Sequence, residues 1–346
     1  MKLPRYRTGD DSLDDEVAAL VERVSDPADA DLIFELVASA LRLARDSADR
    51  GDLKIANAAL KEMRHAFHVF APYRAASKVA IFGSARTQPD SPLYLQTREF
   101  AAAMAKLDWM VVTGAGPGIM EAGIEGAGAE NAFGVSILLP FETTTSQFLA
   151  DDPKLINFRY FFTRKLEFIK ESDAFVLLPG GYGTLDEAFE LLTLLQTGKA
   201  QPAPVIMLDV PGGTYWQHWG TFVERELEQP GYVSLEDDHL FCVTDDVQTA
   251  VDEILGFYRN YHSQRFVKGR LVLRLQHAPS PALVQALNAE FADIVVRGEI
   301  EVVDATPEEI ADDDHVELAR VAFRFDRHGW SRLRMMIDRL NERPDP

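Results

Sequence analysis

The residues best suited to chemistry lie in one stretch, Pro179-Gly180-Gly181-Tyr182-Gly183-Thr184-Leu185-Asp186-Glu187. Gly180, Gly181 and Gly183 permit a sharp turn and admit a ligand where no β-carbon intervenes. The helical pattern that follows opens with free backbone N–H groups and the positive end of a helix dipole, a natural seat for a phosphate. Thr184 adds a hydroxyl there. Glu187 lies three residues beyond Thr184 and four beyond Gly183, so it shares their helix face. Two readings of this acid stand side by side. It is a carboxylate stabilising a helix N-terminus, or a group that meets a substrate one sugar away from its phosphate.

Two more glycine turns have the same character: Gly83-Ser84, and Gly114-Ala115-Gly116-Pro117-Gly118-Ile119-Met120-Glu121. The second is not a dinucleotide fingerprint, because the third glycine of that motif falls on Ile119 and no acid ends the next strand, Glu142 lying a little beyond it. Neither turn ends in the Gly-Lys-Ser/Thr of a Walker sequence. A mononucleotide phosphate or ribose suits these glycines better. Upstream, Arg159, Arg164 and Lys165 stand among Phe158, Tyr160, Phe161 and Phe162. Such a cluster is a solvated helix face, or aromatics and guanidinium lining a pocket for a base and an anion. Composition does not choose between them. His65 and His68 have helical metal-pair spacing but no third ligand nearby.

Repeated strand–helix alternation positions these residues. Strands are expected at 79–82, 110–113, 134–139, 174–178 and 205–208, with a short one near Phe241. Helices are expected through Phe100, Met104 and Leu107, up to about Asn131, over 185–195, from about Thr214 to Leu227 and over 246–261. This predicts an α/β fold, a Rossmann-like doubly wound parallel sheet, with all three glycine turns at the carboxyl edge. Residues 1–75 read as an N-terminal helical segment, in which Asp26-Pro27 caps one helix and Gly51-Asp52 breaks it and caps the next. Residues 76–262 form the nucleotide-binding domain. Residues 263–346 read as a small α+β appendage: strands at 270–275, 299–303 and 321–325, helices at 282–294 and 330–340, and an acidic loop at 307–315.

The formal charge of −20, from 55 acids against 35 Lys and Arg, argues against nucleic acid or an anionic membrane as a partner. An anionic small molecule then needs its own local arginines. The single cysteine, Cys242, excludes internal disulfides and a cysteine metal cluster. With no signal peptide and no membrane-length apolar run, a cytoplasmic location is expected.

The stretch 179–187 resembles the P-G-G-x-G-T-x-x-E signature of the Lonely Guy (LOG) family, long labelled "lysine decarboxylase". Arg164-Lys165 resembles its upstream R-K element, and Gly83-Ser84 and Gly114 to Glu121 its other glycine turns. The resemblance covers roughly residues 78–261, and its G-P-G-I-M-E form is similar to the longer bacterial branch. It implies a phosphoribohydrolase that cleaves the N-glycosidic bond of a nucleoside 5′-monophosphate such as AMP or a cytokinin riboside monophosphate. On that resemblance Arg164 and Glu187 form the catalytic pair and Gly180, Gly181, Gly183 and Thr184 hold the phosphate. Gly83, Ser84, Gly114, Gly116, Gly118, Met120, Glu121 and Lys165 shape the rest of the nucleotide pocket, with Glu121 a candidate second acid. No metal or organic cofactor is required, and a homodimer or higher homo-oligomer is implied. The rival is a nucleotide- or molybdenum-cofactor-binding carrier on the same fold, without hydrolysis.

Overall fold

The computed structural model describes residues 3–24, 28–138, 149 and 151–342. The chain divides into two compact units, one up to Arg64 and one from His65 onward. In the first unit, α1 (Asp11–Val21) is capped by the Asp10 side chain, which accepts from the Leu13 N–H. It packs on α2 (Ala30–Arg45) through Val17, Val21, Ala30, Phe34 and Ala38, residues four apart on each helix. The next helix, α3 (Arg50–Phe70), starts before Gly51, with Asp49 accepting from the Asp52 N–H at 2.9 Å. Gly51 therefore sits inside the first turn and does not break the helix. Asp26-Pro27, Leu139 and Glu142 lie outside the described residues.

The second unit runs β1 (Lys78–Phe82), α4 (Pro92–Ala105), β2 (Met110–Thr113), α5 (Ile119–Ala127), β3 (Ala132–Ile137), β4 (Leu155–Phe158), α6 (Phe161–Glu171), β5 (Ala174–Leu177), α7 (Tyr182–Gln196), β6 (Val205–Leu208), α8 (Tyr215–Val223), β7 (Cys242–Thr244) and α9 (Val247–Phe257). The strands form a parallel sheet in the order β4-β3-β2-β1-β5-β6-β7. This is the doubly wound Rossmann-like fold read from the alternation. Central strands are buried along their whole length because helices cover both faces. Alternate residues serve separate cores: Ala80, Phe82, Val112 and Phe175 on one face, Val79, Ile81, Val111 and Val176 on the other. β4 is a strand that pattern reading missed. It has four residues, exposes Asn157, and is held by parallel pairing of 155–158 with β3.

The winding reverses between β1, which leads outward to β2, and β5, which leads outward to β6. At such a switch point the loops after neighbouring strands diverge to opposite faces and leave a crevice.

The appendage comprises β8 (Tyr261–Val267), β9 (Arg270–Leu275), α10 (Pro281–Glu290), β10 (Val295–Val302), α11 (Pro307–Ala311), β11 (Ala319–Phe325) and α12 (Trp330–Asn341), its antiparallel sheet ordered β10-β11-β9-β8. Three expectations change here. The helix expected to reach residue 261 ends at Phe257, because the Asn341 amide takes the Phe257 carbonyl and the Asn260 and Tyr261 N–H groups. The chain then enters β8, a strand absent from the sequence reading. The acidic loop at 307–315 contains α11, nucleated by a reciprocal capping box between Thr306 and Glu309. No helix among the described residues is long and apolar enough to cross a membrane.

One buried acid lies outside these networks. Glu167 on α6 is fully buried, and neither carboxylate oxygen has a hydrogen-bond partner among the described residues. Burial pushes its pKa up to about 7, with Lys170 opposing and Glu171 adding to the shift. The folded value lies above the unfolded one. The group therefore costs nothing below the ordinary carboxylate range and weakens the fold as pH rises through 7. At roughly 1.4 kcal/mol per pH unit, ionising it in the folded protein costs on the order of 3 kcal/mol. Glu167→Gln should accordingly raise the melting temperature by several degrees at pH 8 and leave it near the wild-type value at pH 5. Equal melting shifts at both pH values would refute a buried ionisable Glu167.

Candidate active site

The three glycine turns meet at the switch point because their backbones touch. The Ile119 N–H, at the start of α5, donates to the Ser84 carbonyl at 3.1 Å, and the Leu178 N–H donates to the Phe82 carbonyl at 2.8 Å. Gly118 has φ +69°, and a β-carbon there would lie 2.4 Å from the Ser84 carbonyl oxygen. At Gly83 a β-carbon would lie 2.7 Å from the Ile119 β-carbon. These two glycines are required by the protein itself. Gly181 and Gly183 are different: a β-carbon at either meets nothing within 4 Å. Their surfaces border open space at the N-terminus of α7, where backbone N–H groups lack helical partners.

That space is a cleft of about 720 Å³. It brings together Gly83, Ser84, Gly114, Met120, Arg164, Gly180, Gly181, Gly183, Thr184 and Glu187. Four other expected residues stand off the lining. Gly116 leaves room for the Met120 methyl, since a β-carbon would lie 2.7 Å from it, and Gly118 braces the turn. Glu121 is half-buried on α5. Lys165 is engaged with Asp186 at 2.8 Å and Glu190 at 2.6 Å.

At the back of the cleft Arg164 Nη2 donates to Glu187 Oε1 at 3.2 Å. The guanidinium lies against the faces of Phe161 and Phe168, 4.9 and 5.6 Å from the ring centroids. The aromatics thus form a cradle for the cation. Burial lowers the Arg164 pKa, and the Glu187 carboxylate counteracts that. Burial raises the Glu187 pKa above the ordinary carboxylate value, with Arg164 and then Lys165 pulling it back. Glu187 Oε2 and Arg164 Nε are buried and have no hydrogen-bond partner among the described residues. The pair thus keeps one acceptor and one donor in reserve, in surroundings where an unused polar atom is costly.

Sequence reasoning missed three contributors. Arg86 lines the cleft with an exposed guanidinium that has no ion-pair partner among the described residues, and its backbone N–H donates to Ser84 Oγ at 3.1 Å. Phe168 supplies an apolar wall. Tyr215 reaches in from α8, and its hydroxyl donates to the Gly180 carbonyl at 2.8 Å. Arg86 had a signal, since it directly follows the first turn. Tyr215 had none, as it lies far along the chain from every glycine motif. Among the described residues no group of three or more His, Cys, Asp or Glu is arranged to hold a metal, so His65 and His68 gain no third ligand there.

Fold and site define a Rossmann-like α/β protein with a glycine-lined cleft and a buried arginine–carboxylate pair at its switch point. Residues 117–254 match the family described as "Possible lysine decarboxylase". A probable cytokinin riboside 5′-monophosphate phosphoribohydrolase, LOGL3 of Oryza sativa subsp. japonica, is 37% identical over 101 residues, 29% of this chain and 46% of that protein. The cytokinin riboside 5′-monophosphate phosphoribohydrolase LOG1 of Arabidopsis thaliana is 36% identical over 91 residues, 26% of this chain and 41% of that protein. The chain thus spans less than half the length of these relatives. Among solved structures, the molybdenum cofactor carrier protein of Chlamydomonas reinhardtii is 21% identical, covering 52% of this chain and 98% of that one, with a TM-score of 0.36. Over residues 117–254 and the aligned stretches of these relatives, the chain is similar to Lonely Guy family proteins.

Two alanine substitutions separate glycines that serve the fold from glycines that border the cleft. Gly83→Ala must displace Ile119 and should destabilise the protein by about 1–3 kcal/mol in chemical denaturation. Gly181→Ala should denature like wild type while weakening binding of inorganic phosphate in calorimetric titration. Equal stability losses in the two variants would contradict this division.

Proposed function

We propose that the protein hydrolyses the N-glycosidic bond of a nucleoside 5′-monophosphate, AMP or a cytokinin riboside monophosphate, releasing free base and ribose 5-phosphate. The observation that carries this is the buried Arg164–Glu187 pair, placed at the back of a cleft whose floor is the N-terminus of α7. The N–H groups there, with Gly180, Gly181, Gly183 and Thr184, suit the 5′-phosphate, and Arg86 adds a cation at the rim. With the phosphate so anchored, ribose extends towards Glu187. Breaking the C1′–N bond builds positive charge on the sugar ring, as in glycoside hydrolysis. Glu187 Oε1 is held by Arg164, which leaves Oε2 to stabilise that charge, orient the attacking water and accept its proton. The water oxygen bonds to C1′ and the bonding electrons leave with the base. In this reading residues 76–262 are the catalytic domain of a cytoplasmic homo-oligomer, the branch is the longer bacterial one, and no metal or organic cofactor takes part.

Purified protein would be incubated with AMP, GMP, CMP, UMP and isopentenyladenosine monophosphate, with free base followed by chromatography. Wild type should release base from at least one, and Glu187→Ala and Arg164→Ala should lower kcat/KM by about a hundredfold or more. Tight nucleotide binding with no base released from any of them would sink the hydrolase and leave the carrier reading.

The pH profile supplies a second test. Glu187 acts as a carboxylate, so kcat/KM should rise with pH through an inflection above the ordinary 4.5. Removing the cation that lowers its pKa, as in Arg164→Ala, should move that inflection of the residual activity to higher pH. An inflection that stays put in the variant would show that another group is titrating.

A further inference from the structure

Tyr215 connects the anion seat to the neighbouring core strand. Asp209, immediately after β6, is buried and accepts from the Tyr215 N–H at 3.0 Å with one oxygen and from the Val210 N–H at 2.8 Å with the other. The adjacent Trp216 indole donates to the Leu208 carbonyl at 3.2 Å. The first turn of α8 is therefore pinned to the end of β6 at two points. From that fixed base the Tyr215 hydroxyl reaches the Gly180 carbonyl at 2.8 Å. In a trans peptide the carbonyl and the following N–H point in opposite directions, so fixing the Gly180 oxygen fixes the direction of the Gly181 N–H. That N–H makes no hydrogen bond among the described residues, and the space beside Gly181 is open.

We infer that Tyr215 is a positioning residue for the substrate's phosphate: held by Asp209, it orients the 180–181 peptide so that the Gly181 N–H is presented as a preset donor. The inference rests on the phosphate seat of the proposed reaction. Nothing in the backbone alone holds this peptide, because the glycine on either side of it lets it rotate at little cost. Burial raises the Tyr215 pKa above its ordinary 10, which keeps the hydroxyl a donor across the working range.

Tyr215→Phe keeps the ring and removes the hydroxyl. Calorimetric titration with inorganic phosphate and with AMP should give dissociation constants about tenfold weaker than wild type. Steady-state hydrolysis of AMP, or of whichever nucleotide releases base, should give KM raised to the same degree and kcat within about twofold. The phosphate grip is made equally in ground and transition states, which accounts for that split. A purely structural tyrosine would instead lower kcat through loss of folded protein and leave KM unchanged. Asp209→Asn, which disturbs the anchor and keeps the hydroxyl, should shift KM in the same direction by a smaller factor and serves if Tyr215→Phe does not fold. Unchanged phosphate affinity and KM in a folded Tyr215→Phe overturns the inference. A wild type that binds phosphate and releases no base overturns the hydrolase reading alone, since the phosphate titration still decides the role of Tyr215. A wild type that binds no phosphate overturns both.

Discussion

The site depends on how closely the ends of three parallel strands approach one another. β1, β2 and β5 are neighbours in the sheet, and the turns that follow them must share the small space above its carboxyl edge. Side chains at Gly83 and Gly118 would force those turns apart, the first by striking Ile119 and the second by striking the Ser84 carbonyl. Because they are absent, the α5 turn hydrogen-bonds to the β1 turn, and the β5 turn stands beside both. The helices that leave these turns start from fixed points. One of them, α7, carries Glu187 to within 3.2 Å of Arg164 on α6.

Charge raises a second constraint. A chain with net charge −20 repels anionic ligands at long range, so the phosphate seat of the proposed reaction has to draw on local sources. Three sources of positive potential lie at the cleft: the N-terminal N–H groups of α7, the Arg164 guanidinium and the exposed Arg86. They differ in kind. The helix end is fixed by the backbone. Arg164 is held by Phe161 and Phe168 and already shares its charge with Glu187. Arg86 has no ion-pair partner among the described residues. Glu187 benefits from the same arrangement, since Arg164 counters the rise in its pKa that burial imposes. Each member of the pair therefore makes the other's burial tolerable.

The central sheet and most of the cleft were legible because both depend on local pattern. Short apolar runs ending in glycine turns mark parallel strands whose helices begin beside them, and convergence follows from topology. What escaped depends on contacts between distant segments. β4 is four residues long and exists through pairing with β3. α9 stops short of the expected helix end and β8 follows because Asn341, some eighty positions later, takes the last carbonyl of α9 and the first N–H of the strand. Tyr215 enters the cleft only because α8 is pinned to β6. Lys165 is the converse case: motif membership suggests the pocket, while in this structure its ammonium is engaged with Asp186 and Glu190 on α7. Adjacent helix residues point about 100° apart, so Arg164 can face the cleft while Lys165 turns to Asp186 and Glu190.

The same lysine bears on the label "Possible lysine decarboxylase" carried by the matching family. Decarboxylating an amino acid through pyridoxal phosphate needs a lysine whose amine can lose its proton and reach the cofactor. Lys165 is the lysine beside the candidate pair, and it is bound to two carboxylates. Burial alone would lower its pKa, but the hydrogen bonds to Asp186 and Glu190 outweigh that and raise it. A lysine so held is a charged strut between α6 and α7. Among the described residues lining the cleft none is a lysine, and the groups that do converge there are two arginines, Arg86 and Arg164, a glutamate and backbone N–H donors. That donor set does not fit a Schiff-base cofactor. In the proposed reaction it would hold a phosphate ester at one end and meet a developing cation at the other.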